Sequence, residues 1–289
     1  MGAFQGPYLV IGARGMLGTD LMKVLERAGI DAVGLDNEDV DIVQQDSVER
    51  ALAMYEPRLI INVAAFTDVD GCESRTELAF AVNAIGPENL ARAAGRVGAL
   101  LLHISSDYVF DGKKTCPYVE DDPMSPVGVY ARSKAEGEIR IRRLLPENHC
   151  IVRTQWLFGM NGRNFVEAIL AAAQTRGMLS VVNDQHGSPT YTRDLAGALI
   201  GLCRIGYRGT IHVTNSGHTT WYDFAVRIVR SLGLSSVRVE PLRSSDLGRP
   251  APRPLYSVLD TSRYVAVAGA PLRTWEEALD EYLELRGAG

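Results

Sequence analysis

The first part of the chain alternates between short apolar stretches and longer segments with helical spacing. The apolar stretches cover residues 8–13, 31–36, 58–65 and 99–106, and helical patterns at 16–28, after residue 46 and at 77–97 separate them. This order of strand, helix and strand is typical of a parallel sheet with right-handed crossovers. We therefore predict an α/β fold, a Rossmann-type doubly wound parallel sheet.

Beyond residue 159 the alternation becomes less regular. Helical patterns are expected near 164–175, 193–203 and from 221, strands at 179–185 and 209–215, a Pro- and Arg-rich loop at 241–254, and a last helix from 274 or 275. We predict a dinucleotide-binding domain over residues 1–154, which also receives segments near 187–215. Residues 155–289 are predicted to form a smaller C-terminal α/β substrate lobe.

Composition restricts the class of partner. The 289 residues are 46% hydrophobic and 22% charged, as in an ordinary globular protein, and the formal charge is -5. Lys and Arg are spread along the chain, which predicts neither a nucleic acid nor an anionic membrane as partner. The four cysteines and five histidines show no ligand spacing. We expect free thiols, no metal, no membrane span and a cytoplasmic location.

A glycine pattern, Gly12-x-x-Gly15-x-x-Gly18, follows the first predicted strand and opens a helix. Such glycines let the backbone approach a pyrophosphate, to which the helix N-terminus offers free amides and partial positive charge. Asp36 ends the second strand, at a distance suited to the adenosine ribose. We predict a nicotinamide dinucleotide site, whose further members are Arg14, Met16, Leu17, Asp41, Ile42, Ala64, Ala65 and Phe66.

Two residues of this predicted site indicate different cofactors. Asp36 would accept hydrogen bonds from ribose hydroxyls and favours NAD, whereas Arg14 would pair with a 2′-phosphate and favours NADP. Both cofactors remain open, with NADPH preferred. Asp41 and Ile42 are placed to flank the adenine. The segment 64–66 lies where the cofactor would cross the sheet edge, although its alanines would equally suit tight packing of a helix on the sheet.

Tyr130 and Lys134 stand four residues apart at the start of a predicted helix, so both project from one face. A phenol has a pKa near ~10, and a neighbouring ammonium would lower it toward the neutral range. Ser106 ends the fourth strand, at the sheet edge where ligands bind in open α/β folds. We predict that Tyr130, Lys134 and Ser106 are catalytic. Tyr108 is assigned to packing, and Asp107 either binds substrate or caps the turn.

Seven blocks, in order, resemble the dTDP-4-dehydrorhamnose reductase family of the extended short-chain dehydrogenase/reductases. They are INVAAFTDVDGCE, AVNAIGPENLA, HISSDYVFDG, RTQWLFG, GRNFV, VVNDQHGSPTYTRDLA and RPLYSVLD. The resemblance implies a two-lobed fold and reduction of the C4 ketone of dTDP-4-dehydro-L-rhamnose to dTDP-L-rhamnose by NAD(P)H. It further implies that Tyr130 donates the proton and that Lys134 holds the nicotinamide ribose. The substrate contacts would be Ser106, Asp107, Tyr130, Trp156, Asn164 and Arg253.

The resemblance leaves alternatives open. The family usually has Thr at the position of Ser106, a change that keeps the hydroxyl. Some members bind magnesium through acidic residues at a dimer interface, and Asp20 and Asp194 occupy such positions here; we predict no metal and leave a homodimer open. The chain could instead be another NDP-4-ketosugar reductase or epimerase of the same fold. It could also be a non-catalytic regulatory subunit resembling the methionine adenosyltransferase β subunit, although the retained Tyr130, Lys134 and Ser106 favour an enzyme.

Overall fold

The computed structural model describes residues 7–287, and a parallel sheet lies at its centre. The strands are β1 (Tyr8–Ile11), β2 (Ala32–Leu35), β3 (Leu59–Asn62), β4 (Leu100–Ser106), β5 (His149–Thr154), β6 (Leu157–Phe158), β7 (Met178–Val182), β8 (His186–Gly187), β9 (Thr190–Tyr191), β10 (Gly209–His212), β11 (Thr219–Thr220) and β12 (Arg238–Leu242). The helices are α1 (Met16–Arg27), α2 (Gln45–Tyr55), α3 (Val69–Ser74), α4 (Thr76–Phe80), α5 (Gly86–Val97), α6 (Val129–Leu144), α7 (Phe165–Thr175), α8 (Thr192–Ile205), α9 (Trp221–Ser231), α10 (Ser262–Ala268) and α11 (Trp275–Gly287). In this part of the chain, no helix is both long and apolar enough to cross a membrane.

The central sheet has the strand order β2-β1-β3-β4-β5-β10, and every neighbouring pair is parallel. The predicted doubly wound parallel sheet is therefore confirmed. Its strand order reverses between β1 and β3, the type of position at which α/β sheets bind ligands beyond the strand ends. Strand β1 is buried along its whole length because helices cover both faces, which explains its unbroken apolar sequence.

Helices α1 and α8 pack on one face of this sheet, and α2, α5 and α6 pack on the other. Strand β10 pairs with β5, so residues 209–212 from the second half of the chain extend the sheet. The other short strands of the 187–215 segment, β8 and β9, pair outside it. The division of the chain at residue 154 stays a prediction.

The single helix predicted at 77–97 is divided. Helix α4 passes through a π-helical turn, Ala81–Ile85, into α5. Pro87 has no N–H and cannot bond the Asn83 carbonyl as a regular helix requires, and extra π turns accommodate such breaks. The Asn83 carbonyl instead packs against Gly137 of α6, where an added Cβ would lie 2.3 Å from it. Helix α6, which carries Tyr130 and Lys134, therefore packs closely against this π-helical turn.

A second, aromatic-rich core joins α7, α9 and α11 to the two-stranded sheet of β7 and β12. The prediction of a loop from residue 241 is wrong at its beginning, because β12 runs through Pro241 to Leu242 and pairs in parallel with β7. A proline is tolerated there because a two-stranded sheet leaves one side of each strand unpaired. Helix α10 was not predicted from the sequence.

Candidate active site

The glycine-rich turn after β1 leaves room that side chains would fill. Gly12 has a φ of +86°, and a Cβ on it would lie 2.9 Å from the backbone nitrogen of Ala64. A Cβ on Gly18 would lie 2.1 Å from the Gly12 carbonyl oxygen. Gly15 caps α1 without a side-chain hydrogen bond, and the first turn of α1 carries no acidic residue. This exposed helix N-terminus in a tight backbone cradle fits the diphosphate of a dinucleotide.

The two residues that indicated different cofactors bind each other. Asp36 accepts hydrogen bonds from the backbone N–H of Arg14 (3.0 Å) and from its Nε (3.0 Å). Glu38 accepts a further bond from Arg14 Nη2 at 2.9 Å. A ribose or a 2′-phosphate would therefore meet a neutralised pair rather than a free carboxylate or a free guanidinium.

Three residues predicted to contact the cofactor make internal contacts, and for Leu17 and Asp41 the contact with the cofactor stays a prediction. Ile42 is buried, and a Cβ on Gly86 would lie 2.6 Å from its Cδ1, so its side chain packs in the core rather than along an adenine. Leu17 is likewise a core residue on α1. The carboxylate of Asp41 accepts the Val43 N–H at 3.0 Å and shapes the turn before α2.

The other predicted cofactor residues lie at the carboxyl edge of the sheet. Ala64, Ala65 and Phe66 follow β3 and are partly exposed. Asn83 holds this segment by accepting the Phe66 N–H (2.8 Å) and donating to its carbonyl (3.0 Å). Met16 is also partly exposed, at the first position of α1. In the strand order, β3 lies between β1, which leads into the glycine cradle, and β4.

Ser106, Tyr108 and Tyr130 lie together beyond the end of β4. The rings of Tyr108 and Tyr130 meet edge to face, with centroids 5.4 Å apart. Burial raises the pKa of the Tyr130 phenol, and its hydrogen bond with Ser106 opposes this only in part. The prediction that Lys134 lowers this pKa is wrong for the free protein, because desolvation dominates. The phenol therefore holds its proton firmly.

Lys134 is fully enclosed between α6 and β4, with 1% of its surface exposed. Its Nζ donates to the Ile104 carbonyl at 2.7 Å and lies 3.4 Å from His103 Nε2. Burial lowers the pKa of this amine to about 8, and the carboxylate of Glu138 opposes the shift. The amine is thus close to losing its proton near neutral pH.

Asp107 is buried beside Ser106, whose hydroxyl donates to Asp107 Oδ1 at 2.8 Å. Its second oxygen, Oδ2, has no hydrogen-bond partner within residues 7–287. Burial raises the pKa of this carboxyl to about 6, although the Ser257 and Ser106 hydroxyls oppose the shift. Ser106 accepts the Tyr108 N–H and so caps the turn itself. Within the described part of the chain, Asp107 Oδ2 is thus a buried, unsatisfied acceptor at the end of β4.

Trp156 lies two residues beyond the end of β5 and has a positive φ of 48°, an uncommon conformation for an aromatic residue. Its indole stacks on that of Trp221, the first residue of α9, with centroids 3.6 Å apart and 11° between the planes. Gly187 lies against the other side, where a Cβ would be 2.4 Å from the indole. Such strain persists only where the surroundings enforce it, which is typical of functional sites.

Two of the residues predicted to contact the substrate, Asn164 and Arg253, have internal partners. Asn164 caps α7 by accepting the Glu167 N–H at 3.1 Å and donates to the Gly159 carbonyl at 2.8 Å. Arg253 forms a two-pronged ion pair with Asp70 at 2.8 and 3.0 Å, and burial leaves only 11% of its side chain exposed. This arginine holds the pKa of Asp70 below its ordinary value. Their roles toward substrate stay predictions.

The acidic residues considered for magnesium are also engaged. Asp20 accepts the Thr192 hydroxyl at 2.5 Å, and Asp194 forms a two-pronged ion pair with Arg273. Among the residues that the structure describes, no group of three or more side chains is arranged to hold a metal ion.

Sequence reasoning missed two members of the site. His103 was recognised only as part of an apolar strand, and Trp221 only as the beginning of a helix. A signal for His103 was present, because a histidine interrupts a strand that is otherwise apolar up to residue 104. The partner of Trp156 carried no such signal, since 65 residues of chain separate the two tryptophans.

The chain is similar in sequence and in fold to known proteins. The family model "RmlD substrate binding domain" matches residues 7–286. The spore coat polysaccharide biosynthesis protein SpsK of Bacillus subtilis is 44% identical over 97% of this chain and 98% of its own. The dTDP-4-dehydrorhamnose reductase of Streptomyces griseus is 44% identical over 95% of this chain and 92% of its own. The crystal structure of dTDP-4-dehydrorhamnose reductase from Bacillus anthracis in complex with NADP superimposes with a TM-score of 0.93 at 35% identity, covering 97% of this chain and 99% of that one.

Proposed function

Because the chain belongs to the dTDP-4-dehydrorhamnose reductase family and is an NAD(P)H-dependent oxidoreductase, we propose that it reduces the C4 ketone of dTDP-4-dehydro-L-rhamnose to dTDP-L-rhamnose. In this proposal Tyr130 is the proton donor. The observation that carries it is the meeting of Ser106, Asp107 and Tyr130 at the sheet edge, with Lys134 one helical turn below Tyr130.

Tyr130, Ser106 and Asp107 each have a separate role in this reaction. When bound, the nicotinamide supplies the hydride that C4 of the sugar accepts. The Tyr130 phenol gives its proton to the C4 oxygen as negative charge develops there, and the raised pKa of this phenol keeps that proton in place until then. The Ser106 hydroxyl donates its single hydrogen to Asp107 Oδ1 in the free protein, and it would turn this hydrogen to the same oxygen when the substrate binds. Asp107 Oδ2 accepts a hydrogen bond from a sugar hydroxyl.

The cofactor end follows from the glycine cradle and from Lys134. The α1 N-terminus binds the diphosphate, as its unoccupied first-turn amides and absent side chains allow. Lys134 Nζ donates to the Ile104 carbonyl and contacts His103 Nε2, and it holds the nicotinamide ribose with its remaining capacity. We favour NADPH over NADH: the guanidinium of Arg14, which is paired with Asp36 and Glu38 in the free protein, would exchange Glu38 for the 2′-phosphate.

The decisive assay supplies dTDP-4-keto-6-deoxyglucose with a 3,5-epimerase and follows oxidation of NADPH and of NADH in separate reactions. Consumption of the cofactor that depends on the ketosugar, with dTDP-L-rhamnose as product, is the expected result. A UDP-linked ketosugar, and the dTDP-linked one without epimerase, test the related ketoreductases. The absence of turnover with every ketosugar would favour the regulatory subunit, and interconversion without net oxidation would favour an epimerase.

Tyr130→Phe tests the proton donor against a matched control, Tyr108→Phe, because the two rings touch and lose the same atom. General acid catalysis contributes about 10²- to 10⁴-fold, so Tyr130→Phe should lower kcat by at least that lower bound. Tyr108→Phe should keep more than a tenth of the activity. Equal losses in both variants, or near-normal turnover by Tyr130→Phe, would contradict the assignment.

A further inference from the structure

Three fully buried polar side chains form a row beneath the sheet edge. Asn62 of β3 and His103 of β4 are directly paired in the parallel ladder, so their side chains lie side by side on the face that α6 covers. Asn62 Nδ2 lies 3.0 Å from His103 Nδ1, and His103 Nε2 lies 3.4 Å from Lys134 Nζ. The row therefore runs from β3 to the lysine of the proposed catalytic group.

The first contact determines which ring nitrogen of His103 carries the proton. The backbone N–H of Ala64 donates to Asn62 Oδ1 at 3.1 Å, which fixes the orientation of the amide. The atom that faces His103 Nδ1 is therefore the amide NH₂ group, which can only donate. Nδ1 must accept, and a neutral imidazole then carries its hydrogen on Nε2. Burial and the nearby Lys134 keep the pKa of His103 well below its ordinary value, so the ring is neutral.

The second contact brings this Nε2–H against the amine of Lys134. An ammonium has only donors, whereas a neutral amine has a lone pair that can accept the Nε2–H. Lys134 meanwhile donates to the Ile104 carbonyl in either state. We propose that His103 is a positioning residue that, held in its Nε2–H form by Asn62, seats Lys134 and favours its unprotonated amine. This inference rests on the proposed function only for its kinetic consequence.

The other groups around the Lys134 amine also affect its pKa. On its own helix, Glu138 raises the pKa of Lys134, and burial lowers it to about 8. Glu138 is itself paired with the buried Arg153 of β5, at 2.8 and 2.9 Å, which weakens its pull on the lysine. From the same helix Tyr130 contributes a neutral phenol. Burial and Glu138 thus set the state of the amine, and to these the proposal adds the His103 ring that faces it.

Imidazole nitrogen resonances of ¹⁵N-histidine-labelled protein test the first step without substrate or cofactor. The chain has five histidines, and the signal lost in His103→Gln identifies His103. We expect a neutral ring with hydrogen on Nε2 between pH 6 and 8. Hydrogen on Nδ1, or a charged ring, would overturn the proposal. In Asn62→Asp one carboxylate oxygen would accept the Ala64 N–H and the other an Nδ1–H, so the hydrogen should move to Nδ1.

Titration of ¹³Cε-lysine-labelled protein tests the second step, since the chain has only four lysines. Asn62→Asp turns Nε2 toward Lys134 as an acceptor, and His103→Gln offers it an amide oxygen. Both variants should raise the midpoint of Lys134 by about one pH unit. Leu101→Val, two residues along the same face of β4, is the matched control and should not shift it. A midpoint that stays within 0.3 pH unit of wild type in both variants would overturn the proposal.

Kinetic measurements then test whether Asn62, His103 and Lys134 affect reduction of the ketosugar. The pH profile of kcat/KM for the cofactor reports groups of the free enzyme, and the limb that Lys134 sets should move upward by the same unit in both variants but not in Leu101→Val. A lysine midpoint that moves while the limb does not would contradict the catalytic consequence. The two magnetic resonance results hold or fail without turnover, so failure of the proposed function is seen separately as the lack of any ketosugar reduction in wild type.

Discussion

Replacement of Asp107 by Asn should have opposite effects on ligand affinity and on the stability of the ligand-free protein. Asn keeps an oxygen to accept the Ser106 hydroxyl but puts an NH₂ group in place of Oδ2, the buried oxygen that lacks a partner. A hydrogen bond to a charged group contributes about 1.5–3 kcal/mol, so affinity for the ketosugar nucleotide should fall about 10- to 150-fold. Wild-type affinity should also weaken as the pH falls through about 6, where the carboxylate takes up a proton.

The same substitution should affect the ligand-free protein in the opposite sense. Burial raises the pKa of Asp107 from its ordinary value of 3.8 to about 6, which corresponds to about 3 kcal/mol of destabilisation above pH 6. A raised carboxyl pKa means that the folded state binds the proton more tightly, so this destabilisation fades as the pH falls toward 3.8. The stability of Asp107→Asn relative to wild type should therefore be about 1.4 kcal/mol smaller at pH 5 than at pH 7.5.

Calorimetric titration with a dTDP-sugar measures the first effect, and urea unfolding at the two pH values measures the second. The comparison between pH values cancels the energy of burying the new amide, which is the same at both. Asp194→Asn, which alters a carboxylate paired with Arg273 far along the chain, is the control for a general effect of charge. Undiminished affinity in Asp107→Asn, or a stability difference that does not change with pH, would refute the reasoning.

Three further outcomes are expected. Gly12→Ala should abolish NADPH binding in a fluorescence titration, because its Cβ would lie 2.9 Å from a backbone nitrogen at a positive φ. Trp221→Ala should raise the ketosugar KM about 5-fold while Trp221→Phe stays near wild type, since only the first removes the surface on which Trp156 stacks. Glu38→Gln removes the negative charge that pairs with one prong of Arg14, and kcat/KM measured with each cofactor should shift at least 3-fold toward NADPH.

The sheet was predictable because its strands are buried on both faces and leave a continuous apolar signal. The exceptions have local causes that a pattern search does not weigh. Pro87 divides the helix predicted at 77–97, although a proline near a helix start is ordinarily compatible with helix. Pro241 was interpreted as loop, but it lies in a strand whose other edge is free. In both cases the position within the tertiary structure decides what the proline does.

Two parts of the candidate site could be proposed from the sequence, because the spacing of their residues indicates a use. These parts are the glycines in the turn after β1 and the tyrosine one helical turn before a lysine. Ile42 was assigned from its place after the second strand, and Asn164 and Arg253 by resemblance. The structure gives each of them internal contacts that spacing cannot reveal. A polar side chain can be satisfied within the protein or by a ligand, and only its neighbours distinguish the two.

The strongest signal that remained in the sequence was a set of polar residues in an otherwise apolar strand. A buried parallel strand normally continues with apolar residues, yet β4 changes at residue 103 to histidine and then, after Ile104, to two serines. Burying a histidine is unfavourable unless its nitrogens have partners, so the sequence already implied polar groups on the neighbouring strand and on the helix above. Asn62 and Lys134 are those groups. Residues that break the pattern of their element, read together with what must satisfy them, therefore locate a site more sharply than motif spacing alone.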